Sequence, residues 1–280
     1  LWNRKKVWKD DKNGIVLNHG DTFSTFLGSL LGRISGLRSA HIESGLRSFN
    51  LFHPFPEEIT RLLTFRLTNI YFAPGKWAAD NLQKYSGTKI DTVHNTLLDS
   101  LRISQSAIDV ADVDIPESAY GLVSIHRFEN IFSKKKLVEI VNLLISTSEK
   151  MPLLFILHKP TRKKLEQFGL LEQLEQCPRI DLRPRYSYFQ FIRLTRSAAF
   201  VLTDGGSNQE ECFYLGKPCI ILRSATERKE GLGRNAVLSN YDQGVINEVI
   251  ANPGALELQP GNFSISPAKI IVDELEKVDL

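Results

Sequence analysis

Five apolar runs of this 280-residue chain end in small polar or ionisable residues whose types could support chemistry. The five ends are HGD (19–21), HIESGLR (41–47), IHRFEN (125–130), LHK (157–159) and TDGGSNQEE (203–211). Together they supply carboxylates, imidazoles, guanidinium groups and a glycine turn. Carboxylates and imidazoles transfer protons, and guanidinium groups and glycine turns bind anions. The sequence therefore predicts a site for an anionic molecule on which a proton is moved.

The segment from Gly205 to Glu211 has the composition of a phosphate-binding turn. Gly205, Gly206 and Ser207 lead into a predicted helix, whose first backbone N–H groups have no partner within the helix. The glycines let a phosphate approach the backbone, and Glu210 or Glu211 can accept hydrogen bonds from hydroxyl groups such as those of ribose. This pattern favours a nucleoside diphosphate. A tight turn before a helix explains the same residues, and the turn matches neither GxGxxG nor the P-loop.

Two histidines, His126 and His158, each follow an apolar run typical of a buried strand. Arg127 and Asn130 lie close to the first of them and favour anion binding, although a histidine in either position can also be structural. No cluster of His, Cys or Asp has the spacing of zinc ligands, so we expect no metal. We likewise expect no redox cofactor.

Three carboxylates of the first half, Asp21, Glu43 and Glu57, are candidates for acid–base chemistry. Asp21 and Glu43 end neighbouring predicted strands, and Glu57 begins a predicted helix. Carboxyl groups that converge on one cleft raise the pKa of at least one of them, which can yield one acid and one base near neutral pH. Each also has a structural explanation, Asp21 as a helix N-cap and Glu57 as a first-turn carboxylate.

The elements that must position these residues alternate between apolar runs and segments of helical periodicity. The predicted strands cover 14–18, 37–43, 69–73, 90–95, 120–126, 152–158, 179–185, 199–204 and 219–223. The predicted helices cover 22–35, 57–68, 75–86, 96–104, 133–150, 161–176, 188–198, 208–216 and 267–279. Such alternation predicts parallel sheets covered by helices on both faces. Ligands of these α/β folds bind at the carboxyl ends of the strands, where the five polar segments lie.

A polar stretch at 109–119 predicts a linker between two series of these elements. We therefore expect two Rossmann-like domains, at 1–115 and 116–265, and a last segment at 266–280 whose helix packs back on the first domain. The site is expected in the cleft between the domains, whose closure would exclude water from a reactive intermediate.

Composition excludes several classes of protein. The net charge of +3 and the pI near 8.7 are mildly basic, which suits an anionic small molecule and gives no argument for nucleic acid. Apolar runs are too short for a membrane helix. The three cysteines form no disulfide pattern and no signal peptide is visible, so we expect a reducing cytoplasm.

Seven segments together resemble the bacterial UDP-N-acetylglucosamine 2-epimerase family, in its non-hydrolysing form with a glycosyltransferase-B-like fold. They are HGDTFST, HIESGLRS, FPEEITRLLT, IHRFEN, TDGGSNQEE, LGKPCIILR and TERKEG. They follow the family's order over nearly the whole chain. The resemblance implies an isomerase that removes the C2 proton of the sugar, expels UDP from C1 and adds UDP back while a proton returns to the other face. It also implies that the product enters polysaccharide biosynthesis.

The family's site residues carry over onto matching positions of this chain. By resemblance the catalytic residues are Asp21, Glu43, Glu57 and His126. We expect the substrate-binding residues to be Arg47, Arg61, Arg127, Asn130, His158, Gly205, Gly206, Ser207, Glu211 and Arg228. The resemblance gives Glu211 to the ribose and the turn from Gly205 to Ser207 to the phosphates. Which carboxylate is the acid and which the base stays open.

The chain departs from the family at several positions. The commoner turn reads Asp-Ser-Gly-Gly before Ile-Gln-Glu-Glu, whereas here the serine is at 207 and Asn208 takes the place of the apolar residue. Lys229 replaces the usual proline after Arg228. The family opens with a strand and a Gly-Thr-Arg-Pro-Glu loop, and nothing like them precedes GIVLN. We therefore expect a truncated chain whose first domain lacks its opening strand and helix.

Alternatives to the epimerase remain open. One is a glycosyltransferase of the same fold, which would not need three carboxylates around C2. Another is a protein that binds a UDP-sugar through its second domain without turnover, which a missing N-terminal segment would explain. Within the epimerases, a hydrolysing member would release free sugar, and related members act on deoxy or diacetamido sugars. Many relatives are homodimers, so a homodimer is expected.

Overall fold

The computed structural model describes residues 4–8, 13–51, 55–261 and 263–278. The chain divides into two compact units, of which the first is Leu1–Ser100 with Ser264–Leu280 and the second is Leu101–Phe263. Each unit is an α/β layer structure around its own parallel sheet, which confirms the predicted fold class of two parallel-sheet domains. Phe52, His53 and Pro54, which precede the FPEEITRLLT segment, lie outside the described residues.

The first unit is built on four parallel strands in the order β1-β2-β3-β4. Their bounds are β1 Ile15–His19, β2 Arg38–Ile42, β3 Ile70–Ala73 and β4 Thr88–Asp91. The helices are α1 Arg4–Trp8, α2 Phe23–Ile34, α3 Glu57–Leu67, α4 Lys76–Asp80 and α5 Leu97–Ile103, which runs into the second unit. Because β3 is buried along its whole length, its IYFA sequence is a continuous apolar run, as expected for a covered parallel strand.

The last helix, α14 (Pro267–Leu275), belongs to the first unit. Its Ile271 packs in one cluster with Ala40, Ile70 and Phe72 from strands β2 and β3. The backbone N–H of Ala268, in its first turn, donates to Asp99 Oδ2 at 2.7 Å. A carboxylate at a helix N-terminus accepts an otherwise unpaired N–H and suits the helix dipole.

The second unit carries six parallel strands in the order β10-β9-β8-β5-β6-β7. They are β5 Gly121–Ser124, β6 Leu153–Leu157, β7 Ile180–Pro184, β8 Phe200–Thr203, β9 Cys219–Ile221 and β10 Ala236–Leu238. The order reverses between β5 and β8, so the loops after these two strands diverge to opposite sides of the sheet and leave a crevice at their carboxyl ends. The IHRFEN and TDGGSNQEE segments leave from these two strands.

Helices cover both faces of the second sheet, and its two buried apolar clusters lie on either side. The helices of this unit are α6 Gln105–Asp109, α7 Phe128–Ile131, α8 Lys134–Ser148, α9 Lys159–Phe168, α10 Leu171–Glu175, α11 Tyr188–Ser197, α12 Gly206–Leu215 and α13 Gln243–Ala251, with a 3₁₀ turn at Pro253–Leu256. Over the ranges that the structure describes, no helix combines the length and apolar character needed to cross a bilayer.

Several element predictions need correction. The helix expected at 161–176 is two helices, because Gly169 adopts the left-handed conformation (φ 70°) and caps the first of them. The helix expected at 75–86 ends at Asp80, and the strand expected at 90–95 is Thr88–Asp91. Helix α7, strand β10 and helix α13 were not predicted, because they are short or lie in the polar last quarter of the chain.

Candidate active site

The two strand-end carboxylates of the first unit leave from neighbouring strands. In the β1–β2 register His19 lies opposite Ile42, so Asp21 and Glu43 follow the same edge of the sheet. A Cβ built on Gly20 would lie 3.6 Å from Glu43 Oε2. Glu43 has a positive φ of 63°, a conformation that is uncommon for residues other than glycine and concentrates at functional sites. The structure thus brings Glu43 beside the HGD segment.

Glu43 is held from both sides. Asn95 Nδ2 donates to Glu43 Oε1 at 2.8 Å, and His19 Nε2 lies 3.6 Å from Glu43 Oε2. The side chain of His19 is 60% exposed, whereas that of Glu43 is 10% exposed. Neither Asn95 nor His19 was expected as a site residue. Asn95 lies in the loop after β4, and this position at the carboxyl end of a strand could have identified it as a site residue.

Arg61 joins Asp21 and Glu58 into one largely buried network. Its Nη2 donates to Asp21 Oδ2 at 2.5 Å, and its Nη1 donates to Glu58 Oε2 at 3.2 Å. Glu58 is fully buried and also accepts from Arg47 Nε and from the Ser48 backbone N–H. Burial alone would raise the pKa of Glu58, but these hydrogen bonds and the charges of the two arginines lower it. Glu58 is therefore a charged anchor for both arginines.

Glu57, the third expected carboxylate, lies one helical turn before Arg61 on α3. Residues four apart share a helix face, so Glu57 is on the side of α3 that meets Asp21. Its Oε2 atom is buried and has no hydrogen-bond partner within the described part of the chain. A buried carboxylate oxygen without a partner is costly, and a bound substrate can satisfy it.

His41 fixes the backbone of the HGD segment by a hydrogen bond to Gly20. It is fully buried, and its Nε2 lies 2.7 Å from the carbonyl oxygen of Gly20. Burial lowers the pKa of His41 to about 4, against smaller opposing effects that include the Gly20 hydrogen bond and Glu43. His41 is thus neutral near pH 7, and its Nε2–H donates to Gly20. His41 opens the HIESGLR segment, and no role was predicted for it.

In the second unit, Asp204 holds the loop after β5. Its buried carboxylate accepts from the backbone N–H groups of His126 and Arg127, each at 3.0 Å, and from Asn130 Nδ2 at 2.9 Å. Asn130 also donates to the Leu222 carbonyl and accepts from the Tyr241 hydroxyl at 2.7 Å. Asn130 is fully buried and occupied by these bonds, so it supports the loop and does not face solvent.

The two expected histidines lie against each other. The ring centroids of His126 and His158 are 4.7 Å apart, and Ser124 Oγ lies 3.4 Å from His158 Nε2. Burial is the main cause that lowers the pKa of His126, with Asp204 opposing it and the charges of Arg127 and Arg185 adding to it. Burial, His126 and Arg185 lower the pKa of His158 to about 4.

Arg185 was missed by the sequence analysis, although it directly follows strand β7. Burial is the main cause that lowers the pKa of both histidines, and the charge of Arg185 adds to it in each case. A cation beside two neutral imidazoles makes this edge of the sheet favourable for an anion. Its position at the carboxyl end of a strand was the signal that could have identified it.

The glycine turn begins helix α12 with no room for side chains at its start. A Cβ on Gly205 would lie 2.9 Å from His126 Cε1 and 2.8 Å from Asn208 Oδ1. One on Gly206 would lie 3.1 Å from Arg228 Nε. Ser207 is exposed in the first turn. Glycine is thus required where the helix start meets His126, and the first-turn N–H groups remain open to an anion.

The two glutamates behind this turn have different surroundings. Glu210 Oε1 is paired with Arg228 Nη1 at 2.7 Å. Glu211 accepts from Asn208 Nδ2 at 2.9 Å, and burial raises its pKa to about 7 against the effect of that hydrogen bond. The sequence left both residues open as hydroxyl acceptors. The structure pairs Glu210 with an arginine and leaves Glu211 as the carboxylate without an ion pair in the described part of the chain.

The TERKEG segment braces the same loop. Buried Glu227 accepts from Arg127 Nη2 at 3.0 Å and from Arg223 Nη1 at 2.9 Å. Gln209 of α12 accepts from the Thr226 hydroxyl at 2.9 Å, so the segment is also fixed to the helix. Within the described ranges, no group of three or more His, Cys, Asp or Glu side chains could hold a metal ion.

A family model and several known proteins are similar to this chain. Residues 1–254 match the family model described as UDP-N-acetylglucosamine 2-epimerase. The chain is 34% identical to a UDP-N-acetylglucosamine 2-epimerase homolog of Methanococcus maripaludis, over 95% of this chain and 78% of the relative. It is 35% identical to the UDP-2,3-diacetamido-2,3-dideoxy-D-glucuronate 2-epimerase of Pseudomonas aeruginosa, over 76% of this chain and 59% of the relative.

Solved structures of similar proteins share the fold. The crystal structure of the Methanocaldococcus jannaschii UDP-GlcNAc 2-epimerase in complex with UDP-GlcNAc and UDP is 29% identical, with a TM-score of 0.84 over 97% of this chain and 78% of that one. The Neisseria meningitidis enzyme bound to UDP-GlcNAc is 28% identical, with a TM-score of 0.85 over 98% of this chain and 79% of that one.

Proposed function

This chain belongs to the UDP-N-acetylglucosamine 2-epimerase family, and on that premise we propose that it interconverts UDP-N-acetylglucosamine and UDP-N-acetylmannosamine. A base takes the proton from C2 of the sugar, and the bond between C1 and the UDP oxygen breaks with its electrons leaving on UDP. The sugar becomes a 1,2-unsaturated intermediate. UDP then adds back to C1 while an acid returns a proton to the opposite face of C2.

One observation supports the proposal: Arg61 of α3 pairs with Asp21 after β1, and Glu43 follows the same edge of the sheet after the neighbouring β2. Arg61 ties α3 to Asp21, Glu43 lies beside Gly20, and Glu57 shares the helix face of Arg61. A carbon acid such as C2–H needs a positioned base, and the reverse face needs an acid. A glycosyltransferase would need only one base for its acceptor, so three acidic groups favour the epimerase.

We assign the binding of the UDP part to the second unit. The start of α12 offers backbone N–H groups to the diphosphate, and His126 and Arg228 lie beside Gly205 and Gly206. The leaving diphosphate gains negative charge as the C1–O bond breaks, so these donors stabilise the transition state. Arg127 and Arg185 add positive potential at the same strand edge. Glu211 accepts from the ribose hydroxyls.

The test is a proton NMR assay with UDP-N-acetylglucosamine in deuterated water. It is run on this chain and on a longer form that adds the family's opening strand and Gly-Thr-Arg-Pro-Glu loop. We expect deuterium at C2 and a manno product. UDP release with free sugar as the only product would indicate the hydrolysing reaction instead. Binding of UDP by both forms without any C2 exchange would overturn the proposal.

A second sugar is favoured by one comparison, the 35% identity to the diacetamido-glucuronate 2-epimerase of Pseudomonas aeruginosa. The chemistry at C1 and C2 would be the same, because the difference between the sugars lies at C3 and C6. We therefore include UDP-2,3-diacetamido-2,3-dideoxy-D-glucuronate as a competing substrate in the same assay. Exchange at least about tenfold faster with this sugar, a difference of about 1.4 kcal/mol in the barrier, would assign it as the substrate.

We further propose that the protein works in the cytoplasm as a homodimer. All three cysteines are free, and Cys212 and Cys219 are buried, which suits a reducing compartment. Exposed apolar side chains of Phe23, Leu27 and Leu31 on α2 support an association surface. Sedimentation at several protein concentrations tests the dimer, and a single monomeric species throughout would contradict it.

A further inference from the structure

Three side chains at the start of α12 form a hydrogen-bonded chain. The Thr203 hydroxyl, at the end of β8, lies 3.0 Å from Asn208 Oδ1, and Asn208 Nδ2 donates to Glu211 Oε2 at 2.9 Å. Asn208 and Glu211 are three residues apart and so share a face of the helix. Thr203 is fully buried and Glu211 is nearly so. The amide of Asn208 therefore links the strand to the carboxylate.

The orientation of the Asn208 amide follows from its two neighbours. A carboxylate only accepts hydrogen bonds, so the NH₂ group must face Glu211 and the oxygen must face Thr203. The Thr203 hydroxyl has one proton, with Asn208 Oδ1 at 3.0 Å and the Ser124 carbonyl oxygen at 2.9 Å as its two acceptors. The same hydroxyl accepts from the Gly205 backbone N–H at 3.0 Å. The turn that starts the helix and the amide are thus fixed by one hydroxyl. Among the hydrogen bonds of the described residues, Glu211 accepts this one alone, through Oε2.

Resting on the proposed function, we propose that Asn208 is a positioning residue that holds Oε2 of Glu211 and thereby presents Oε1 to the ribose hydroxyls of the UDP group. A carboxylate that is held at one oxygen loses less rotational freedom when the other oxygen binds a ligand.

The Asn208 amide affects the protonation of Glu211 as well as the orientation of its carboxylate. Burial raises the pKa of Glu211 to about 7, and the Asn208 hydrogen bond opposes that effect. The other titratable groups that face Glu211 are Tyr188 on α11 and Cys212 on α12. Burial is the main cause that raises the pKa of each, and the charge of Glu211 adds to it. Neither is a cation. Without the amide, Glu211 would therefore hold its proton to a higher pH and lose acceptor capacity for the ribose.

The experiment compares three ligands by calorimetry: UDP, 2′,3′-dideoxy-UDP and inorganic pyrophosphate. The variants are Asn208→Leu, which is close to isosteric, Asn208→Asp, which keeps the shape but removes the donor, and Glu211→Gln. Lys135→Ala, an exposed position on α8, is the control. We expect Asn208→Leu to weaken UDP about tenfold, the usual effect of losing a charge-assisted hydrogen bond, and to leave dideoxy-UDP and pyrophosphate within about twofold.

The pH profile separates positioning from a general structural effect. UDP affinity of the parent chain should fall as the pH drops below about 7, where Glu211 takes up its proton. The fall should begin at a higher pH in Asn208→Leu and in Asn208→Asp, and it should be absent for dideoxy-UDP. Pyrophosphate binding reports that each variant is folded, and kcat at saturating substrate should stay within about twofold since the residue acts through binding.

Two results would overturn the inference while the proposed function stands. One is equal weakening of UDP and dideoxy-UDP in both Asn208 variants, and the other is an unchanged UDP affinity in both variants. A parent chain that binds pyrophosphate but not UDP would overturn the proposed function together with the inference. Loss of the preference for UDP over dideoxy-UDP in all three variants, Asn208→Leu, Asn208→Asp and Glu211→Gln, would support the positioning role of Asn208.

Discussion

Arg61 Nη2 lies 2.5 Å from Asp21 Oδ2, so an almost fully buried guanidinium on helix α3 meets the carboxylate that follows strand β1. The same guanidinium donates to the fully buried Glu58. Each charge in such a buried network is stabilised mainly by its partners, so the loss of one member leaves an uncompensated buried charge. The pair therefore fixes the carboxyl edge of the first sheet to the helix that carries Glu57.

Replacing Arg61 by Met should destabilise the protein by about 3–5 kcal/mol, because Glu58 keeps its charge in a buried place with one cation fewer. Urea unfolding followed by circular dichroism measures the change. The control is Lys76→Ala, which breaks the exposed i,i+4 pair with Asp80 and should cost less than about 1 kcal/mol. Equal losses in the two variants would show that the buried network adds no more than a surface pair.

Removing the charge of Glu43 or Glu57 should suppress chemistry more than binding. We expect Glu43→Gln and Glu57→Gln to lower the rate of C2 deuterium exchange by about 10²–10⁴-fold, the usual contribution of a general acid or base. UDP affinity should stay within about threefold, since the assigned nucleotide groups belong to the second unit. The measurement pairs the NMR exchange rate with calorimetric UDP binding. A variant with full exchange would lose its assignment as catalytic.

Asp204→Asn should disturb the loop that carries His126. The substituted amide would turn an NH₂ group or a weaker acceptor toward the His126 and Arg127 backbone N–H groups, which now bond to the carboxylate. We expect UDP affinity to fall about tenfold or more and unfolding stability to drop by about 1–3 kcal/mol. Thr195→Val, at a buried hydroxyl on the neighbouring helix α11, is a control for polar-to-apolar change in the same unit. Unchanged UDP binding in Asp204→Asn would show that the loop carrying His126 does not contribute to nucleotide binding.

The raised pKa of Glu211 predicts a pH-dependent stability in the absence of ligand. The folded state prefers the protonated acid, so this contribution is fully present below the ordinary value of 4.5 and is lost as the pH rises through about 7. Glu211→Gln should therefore match the parent near pH 4.5 and exceed it by up to about 3 kcal/mol at pH 8. Denaturant titrations at the two pH values measure the difference. A stability gap that does not grow with pH would contradict the burial of a protonated carboxyl group.

Much of the fold and part of the candidate site could be predicted from local patterns. Buried parallel strands appear as short continuous apolar runs, such as IYFA and FVLT, and helices show their own period. The polar residues after such runs mark the carboxyl edge of the sheet, which is why Asp21, Glu43, His126 and the glycine turn were found. Arg185 and Asn95 occupy the same kind of position at strand ends, but neither was predicted as a site residue.

The sequence by itself determined the alternation of strands and helices, and with it the edge of each sheet where chemistry is placed. Only the tertiary structure decided which side chains meet there. Glu57 and Glu58 are equally good first-turn acids in sequence, yet Glu58 is the buried anchor of Arg47 and Arg61. Glu57 Oε2, by contrast, has no hydrogen-bond partner among the residues that the structure describes. Adjacent helix residues point about 100° apart, so the direction in which α3 packs on the sheet makes that choice. The bond between Asn208 and Glu211 likewise depends on the Thr203 hydroxyl that the sheet places beside it.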